Sequence, residues 1–114
     1  MISPTDLRII SMMIEKTERI LDIYSDNGRD KIQNDYVLSD ALQFEFEKLY
    51  EDSTRLSIEF RMNHKWLHID DLRGIRNRVA HNYESVSLAI LFDTVENNIP
   101  TLKQELENAL KEGI

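Results

Sequence analysis

The chain has 114 residues, no cysteine and a formal net charge of −7 at pH 7. Its length suits one folded domain over residues 1–114, and the missing cysteine excludes disulfides, thiolate nucleophiles and cysteine-based metal sites. The first residues lack the basic and apolar regions of a signal peptide, and no apolar run approaches the roughly 20 residues that a membrane span needs. We therefore expect a cytoplasmic protein without a membrane anchor.

Helical periodicity of the apolar residues dominates the first half of the chain. Ser3 and Pro4 are typical of a helix N-cap and first helical position, and the turn residues at 26–28 predict the end of this helix. A second helix is predicted from about Asp35 to about residue 56. Ser57 then has the position of an N-cap for a short helical segment.

The second half continues the same pattern. Asp70 or Asp71 is predicted to cap a third helix, and Ser87 is a plausible N-cap for a last long helix. Pro100 interrupts that helix, and a kink or brief break is expected there because proline removes a backbone donor. The predicted fold is all-α, an antiparallel up-and-down bundle of four to five helices.

The charges are distributed unevenly. From His64 to His81 there are four cations and two anions, whereas from Glu84 to Ile114 there are six anions and two cations. The overall acidity argues against a general nucleic-acid coat protein, whose affinity comes from many phosphate contacts. A basic window on an acidic chain favours a localised phosphate site.

The strongest candidate site lies in that basic window, where Arg76, Asn77, His81 and Tyr83 follow one another closely. Arg presents a planar fork suited to phosphate, and His exchanges protons near neutral pH. The fitting chemistry is RNA cleavage without a metal or other cofactor, in which His81 moves protons and Arg76 stabilises the phosphoryl charge. The alternative is structural: Arg76 pairs with a carboxylate and His81 caps a helix.

Two other pairs have the i, i+4 spacing that places side chains on one helix face. His64 and His68 could form a metal pair, but no carboxylate has the spacing of a zinc hydrolase, so solvated or packing histidines are favoured. Glu47 and Glu51 could do acid–base chemistry, but exposed glutamates on a helix usually form a solvated face.

The string Arg76-x4-His81-x-Tyr83 resembles the motif of the HEPN superfamily, and best that of its HepT-like toxin branch. The stretches Asp40–Ser57, Leu72–Asn77 and Ile99–Leu102 are similar to the family's second helix, its approach to the motif and a step in its last helix. Tyr50 stands where the family usually has a glycine before the glutamate that corresponds to Glu51. The resemblance covers about residues 36–110, and more loosely the first helix.

This resemblance implies a HEPN-like helical domain that forms a homodimer and cleaves RNA as a metal-independent endoribonuclease. Arg76 and His81 would be catalytic, with Asn77 and Glu51 in support. The implied partner is a minimal nucleotidyltransferase antitoxin that silences the toxin by adding AMP to Tyr83. Two alternatives remain: a non-catalytic nucleotide- or partner-binding subunit, and a helical dimer whose motif only organises an interface.

Overall fold

The computed structural model describes residues 1–65, 72 and 85–113, with the backbone alone at 85–87. These residues form an all-α bundle, as predicted, that is consistent with a HEPN-like fold. In the described ranges its helices are α1 (Pro4–Gln33), α2 (Tyr36–Thr54), α3 (Ile58–Asn63), α4 (Ser85–Asn97) and α5 (Ile99–Gly113).

Three helix starts predicted from the sequence are confirmed by their capping hydrogen bonds. The Ser3 hydroxyl oxygen accepts the backbone N–H of Asp6 at 3.1 Å. The Asp35 carboxylate caps α2 by accepting a backbone N–H two residues further on at 3.0 Å. The Ser57 hydroxyl accepts the N–H of Phe60 at 3.1 Å and so begins α3. Each cap satisfies a donor that the helix itself leaves unpaired.

The predicted end of α1 at residues 26–28 is only half right. Gly28 leaves the helical region with φ 80° and ψ 166°, but the chain turns helical again and continues to Gln33. Ile32 in this added turn is fully buried. Burial of this large apolar side chain stabilises the helical turn that follows the break. The turn residues around Gly28 alone do not indicate that the helix resumes.

Arg29, directly after this break, connects the end of α1 to α4 on the surface. Its guanidinium lies 2.9 Å from the carboxylate of Glu96 and 3.3 Å from that of Asp93. It also donates to the hydroxyl of Tyr24 at 2.9 Å, and that hydroxyl donates to Glu96. We call Tyr24, Arg29, Asp93 and Glu96 the Arg29 cluster.

The predicted break in the last long helix is confirmed, but the predicted start of that helix is wrong. Asn98 separates α4 from α5, and Pro100 is the second residue of α5, where no intrahelical donor is needed. Ser87 lies inside α4, which begins at Ser85, so the prediction of Ser87 as the N-cap is wrong.

The core lies between α1 and the helices that it contacts, α2, α4 and α5. The following core side chains are at most 1% exposed: Ile10, Met13, Ile20, Leu42, Leu49, Leu91, Val95 and Leu106. An ion pair between Lys16 Nζ and Asp52 Oδ2 at 3.1 Å joins α1 to α2, with the Asp52 side chain 5% and the Lys16 side chain 13% exposed. Among the described helices, none is long and apolar enough to cross a membrane.

Candidate functional site

The Arg/His motif lies in the stretch between α3 and α4. Arg76, Asn77, His81 and Tyr83 fall outside the described residues, so their grouping into one site stays a prediction. The structure describes what flanks them. Upstream, α3 ends at Asn63, and downstream α4 begins at Ser85.

Leu72 is the described residue nearest to the motif on its upstream side. It is helical and only 5% exposed, as predicted for the apolar stripe of the third helix. The other members of that predicted stripe, Ile75 and Val79, lie outside the described residues. The buried leucine side chain fixes the chain to the core four residues before Arg76.

Glu51, the predicted supporting residue, lies on the exposed face of α2. Its side chain is 52% exposed, and its Oε2 lies 3.4 Å from Nζ of Lys48. Glu47 is exposed as well, so the prediction of a solvated glutamate face is confirmed. The buried acid is the next residue, Asp52, which was missed. Its spacing of three from Leu49 and four from Leu56 was the available signal.

His64 is a packing residue, one of the two readings favoured from the sequence. It is 6% exposed, and its ring stacks on Phe60 with centroids 4.1 Å apart. His68, the other histidine of the metal pair that was considered and not favoured, lies outside the described residues. In the part of the chain that the structure describes, no three His, Asp or Glu side chains are grouped to hold a metal.

Asp6 forms a buried polar centre that sequence reasoning missed. It is 3% exposed, and its carboxylate accepts the backbone N–H of Ser57 at 2.9 Å and the Ser57 hydroxyl at 2.6 Å. Burial alone would raise the pKa of Asp6, but the hydrogen bonds from Ser57, the contact with Ser3 and the nearby His64 together lower it. We call Ser3, Asp6 and Ser57 the Asp6 cluster.

A cavity of about 430 Å³ opens beside the Asp6 cluster. Its lining includes three carboxylates, those of Asp6, Glu59 and Glu112, together with His64 and the ring of Phe60. A pocket with this balance of charge repels a phosphodiester, because like charges are destabilising at short range. The basic window around Arg76 therefore stays the better candidate for holding RNA.

Comparisons with known proteins give relatives that carry ribonuclease names. A protein of Caldanaerobacter subterraneus subsp. tengcongensis, named "Putative RNase TTE0752", is 29% identical over 77 residues, 68% of this chain and 69% of that protein. A protein of Methanocaldococcus jannaschii, named "Gamma-glutamylcyclotransferase and putative RNase MJ0434", is 25% identical over 108 residues. That match covers 94% of this chain but only 49% of the relative. Among solved structures, none matches.

A family profile decides the assignment. The profile described as "Ribonuclease HepT-like" matches residues 13–109, which include most of α1, the whole motif stretch and most of α5. The match therefore extends over most of the chain and supports a ribonuclease. This chain belongs to the HepT-like ribonuclease family.

Proposed function

We propose that this protein is a toxin-type, metal-independent endoribonuclease. The observation that carries the proposal is the family match over residues 13–109, which includes the string Arg76-x4-His81-x-Tyr83. The ribonuclease names of the two relatives support the same reaction class. RNA is the substrate in this proposal.

The proposed reaction needs two proton transfers and one charge-stabilising group. A base takes the proton from a ribose 2′-OH, the 2′-oxygen attacks the adjacent phosphorus, and the bond to the 5′-oxygen breaks as that oxygen is protonated. His81 carries out one of these proton transfers. Arg76 stabilises the charge that develops on the phosphoryl oxygens, and Asn77 orients the group.

The charge distribution fits a substrate held locally at the motif. The chain carries a net charge of −7, so an extended nucleic-acid groove would have few cations to build on. The basic window around the motif is where cations are concentrated, and they are Lys65, Arg73, Arg76 and Arg78. A short or structured RNA target suits this arrangement better than a long RNA tract.

In the proposed system, regulation comes from a partner nucleotidyltransferase that acts as antitoxin. Transfer of AMP to the hydroxyl of Tyr83 would place a phosphate close in sequence to Arg76. The added negative charge would occupy the cationic group and repel the RNA backbone. A homodimer that brings two motif stretches together belongs to the same proposal.

Cleavage of a defined RNA in the presence of EDTA tests the nuclease. We expect the wild-type protein to cut and the variants Arg76→Ala and His81→Ala to lose at least about a hundredfold in rate. Arg55→Ala, a change of the same type at an exposed residue outside the basic window, is the matched control and should retain most of the activity. Equal cleavage by all four proteins would refute the assignment. Saturable RNA binding without cleavage would replace it with a binding subunit.

Intact-mass measurement after co-expression with a neighbouring nucleotidyltransferase tests the regulation. The expected result is a mass increase of whole AMP units on the wild-type chain, with the modification on Tyr83. The variant Tyr83→Phe should stay unmodified. An unmodified wild-type chain, or an increase that persists in Tyr83→Phe, would contradict the role given to this tyrosine.

A further inference from the structure

Phe44 is a large aromatic side chain that the described fold leaves in solvent. It is 57% exposed, whereas Phe46, on the same helix, is 8% exposed. Two side chains at this spacing on a helix point in different directions, and only Phe46 enters the core. Among the described helices, α2 packs chiefly against α1. Phe44 therefore lies on the outward face of α2.

Other exposed apolar side chains share this face. Val37, which precedes Phe44 by two helical turns, is 60% exposed, and Tyr36 at the start of α2 is 77% exposed. A helix that is apolar on its core side and also on its outward side is typical of a helix with a second neighbour. We call this outward face, with the charged residues Asp40 and Lys48 on either side of Phe44, the α2 face.

The two charges of the α2 face are placed symmetrically about Phe44. Asp40 lies one helical turn before Phe44 and Lys48 one turn after it. Asp40 is exposed and has no ion pair in the described structure. The Lys48 ammonium lies 5.4 Å from the centre of the Phe44 ring, and its surface contact with Glu51 at 3.4 Å leaves it further donors. A two-fold rotation about an axis through Phe44 therefore exchanges the anionic and the cationic positions.

We propose that two copies of this chain pair in antiparallel orientation along the α2 face, with Phe44 at the two-fold axis and Asp40 of each copy opposite Lys48 of the other. A contact about a two-fold axis uses the same surface on both copies, so the surface must complement itself. The two phenylalanine rings form the apolar centre, and the two ion pairs flank it. This inference rests on the homodimer of the proposed function, whose contact surface it assigns, and it is independent of RNA cleavage.

The charges select a second copy in this orientation over other occupants. A parallel pairing would set Asp40 against Asp40 and Lys48 against Lys48, which like-charge repulsion disfavours. An RNA backbone would meet Asp40 together with the exposed Glu47 and Glu51 of the same helix. The stretch from Tyr36 to Lys48 is about 18 Å long at the rise of an α-helix. This length gives a contact at the small end of specific interfaces, so the dimer should dissociate on dilution.

Analytical ultracentrifugation over a wide range of concentration tests the surface. We expect the wild-type chain to show a monomer–dimer equilibrium and Phe44→Glu to raise the dissociation constant at least about tenfold. Because Phe44 is exposed in the single chain, this change should leave the unfolding midpoint of the monomer unaltered. A dimer that persists in Phe44→Glu would overturn the assigned surface and leave the homodimer of the proposed function standing. A wild-type chain that stays monomeric throughout would overturn both, whatever the RNA cleavage assay shows.

Charge exchange tests the antiparallel pairing itself. Asp40→Lys and Lys48→Asp, each alone, should weaken the dimer at least about tenfold, because like charges then face each other. An equal mixture of these two variants should form dimers again, since one copy carries two cations and the other two anions. Glu18→Lys, a similar charge change at an exposed residue of α1, is the control and should keep the wild-type affinity. A mixture that dimerises no better than its two components would overturn the proposal.

Discussion

Polar groups join both ends of α1 to distant parts of the chain, but the group near its start is buried and those near its end are exposed. Near its start, the Asp6 cluster is built on a carboxylate that is 3% exposed. Near its end, the Arg29 cluster consists of surface groups, with the side chains of Arg29 and Glu96 exposed by 42% and 44%. The Arg29 cluster has more ion pairs, but water competes for each of them. Burial, more than the number of contacts, should therefore decide what each cluster contributes to stability.

The largest effect is expected for Asp6→Ala. This change leaves the N–H and hydroxyl of Ser57 without their buried acceptor and should lower the free energy of unfolding by about 3 kcal/mol. Urea unfolding near neutral pH measures it. Thr5→Ala, which changes the exposed neighbouring residue in α1, is the control. A loss of similar size there would show that the effect does not come from the buried carboxylate of Asp6.

The same aspartate should show a characteristic pH dependence. Because the pKa of Asp6 is lower in the folded protein than its ordinary value of 3.8, the carboxylate stabilises the fold fully above that value. The contribution is lost as the pH falls through the folded-state pKa. The difference in stability between wild type and Asp6→Asn should therefore shrink from about pH 6 to about pH 3. A constant difference across this range would contradict the assignment.

A smaller effect is expected for Gly28→Ala. A Cβ at this position would meet no atom within 4 Å, so the cost comes from the backbone alone. The combination φ 80° and ψ 166° is one that essentially only glycine adopts, and we expect a loss of about 2 kcal/mol. Thermal unfolding measures it. Ser25→Ala, three residues earlier on the exposed surface, should be nearly neutral, and equal effects would argue against backbone strain.

The smallest effects are expected for the exposed ion pairs. Arg29→Ala should shift the urea midpoint far less than Asp6→Ala, and the shift should largely disappear in about 0.5 M salt because exposed charges are screened. A salt-independent loss of stability as large as that of Asp6→Ala would contradict the expectation that the buried Asp6 cluster contributes more to stability than the exposed Arg29 cluster.

Glu51→Ala tests whether this exposed residue, which was predicted to support the site, affects stability or RNA cleavage. We expect its unfolding midpoint to match that of the wild type, because Glu51 has one surface pairing, with Lys48, in the described structure. RNA cleavage then isolates any catalytic role. A lower cleavage rate at unchanged stability would support it, and unchanged cleavage would remove Glu51 from the predicted site.

What could be predicted from the sequence depended on how local its physical cause is. The starts of α1, α2 and α3 were predictable because Ser3, Asp35 and Ser57 cap through atoms within three residues of themselves. The resumption of α1 after Gly28 was not, because it follows from the burial of Ile32 in the core.

Pairings between distant residues were likewise invisible to local reasoning. The bond between Asp6 and Ser57 spans 51 residues, and that between Arg29 and Glu96 spans 67. The choice of Glu51 followed a family likeness, whereas the spacing of Asp52 from Leu49 and Leu56 indicated which acid is buried. For Arg76 and His81 the sequence motif and the family assignment remain the basis of the predicted site.

The carboxylate of Asp6 on α1 accepts hydrogen bonds from Ser57, the N-cap of α3, and this has a consequence for the order in which the protein folds. A six-residue helix such as α3 has little tendency to form alone, and its N-cap hydroxyl donates to Asp6. The start of α1 must therefore be in place before α3 gains this support. We expect α3 to be acquired late during refolding and to exchange its amide hydrogens together with the first turn of α1, so that the two behave as one cooperative unit.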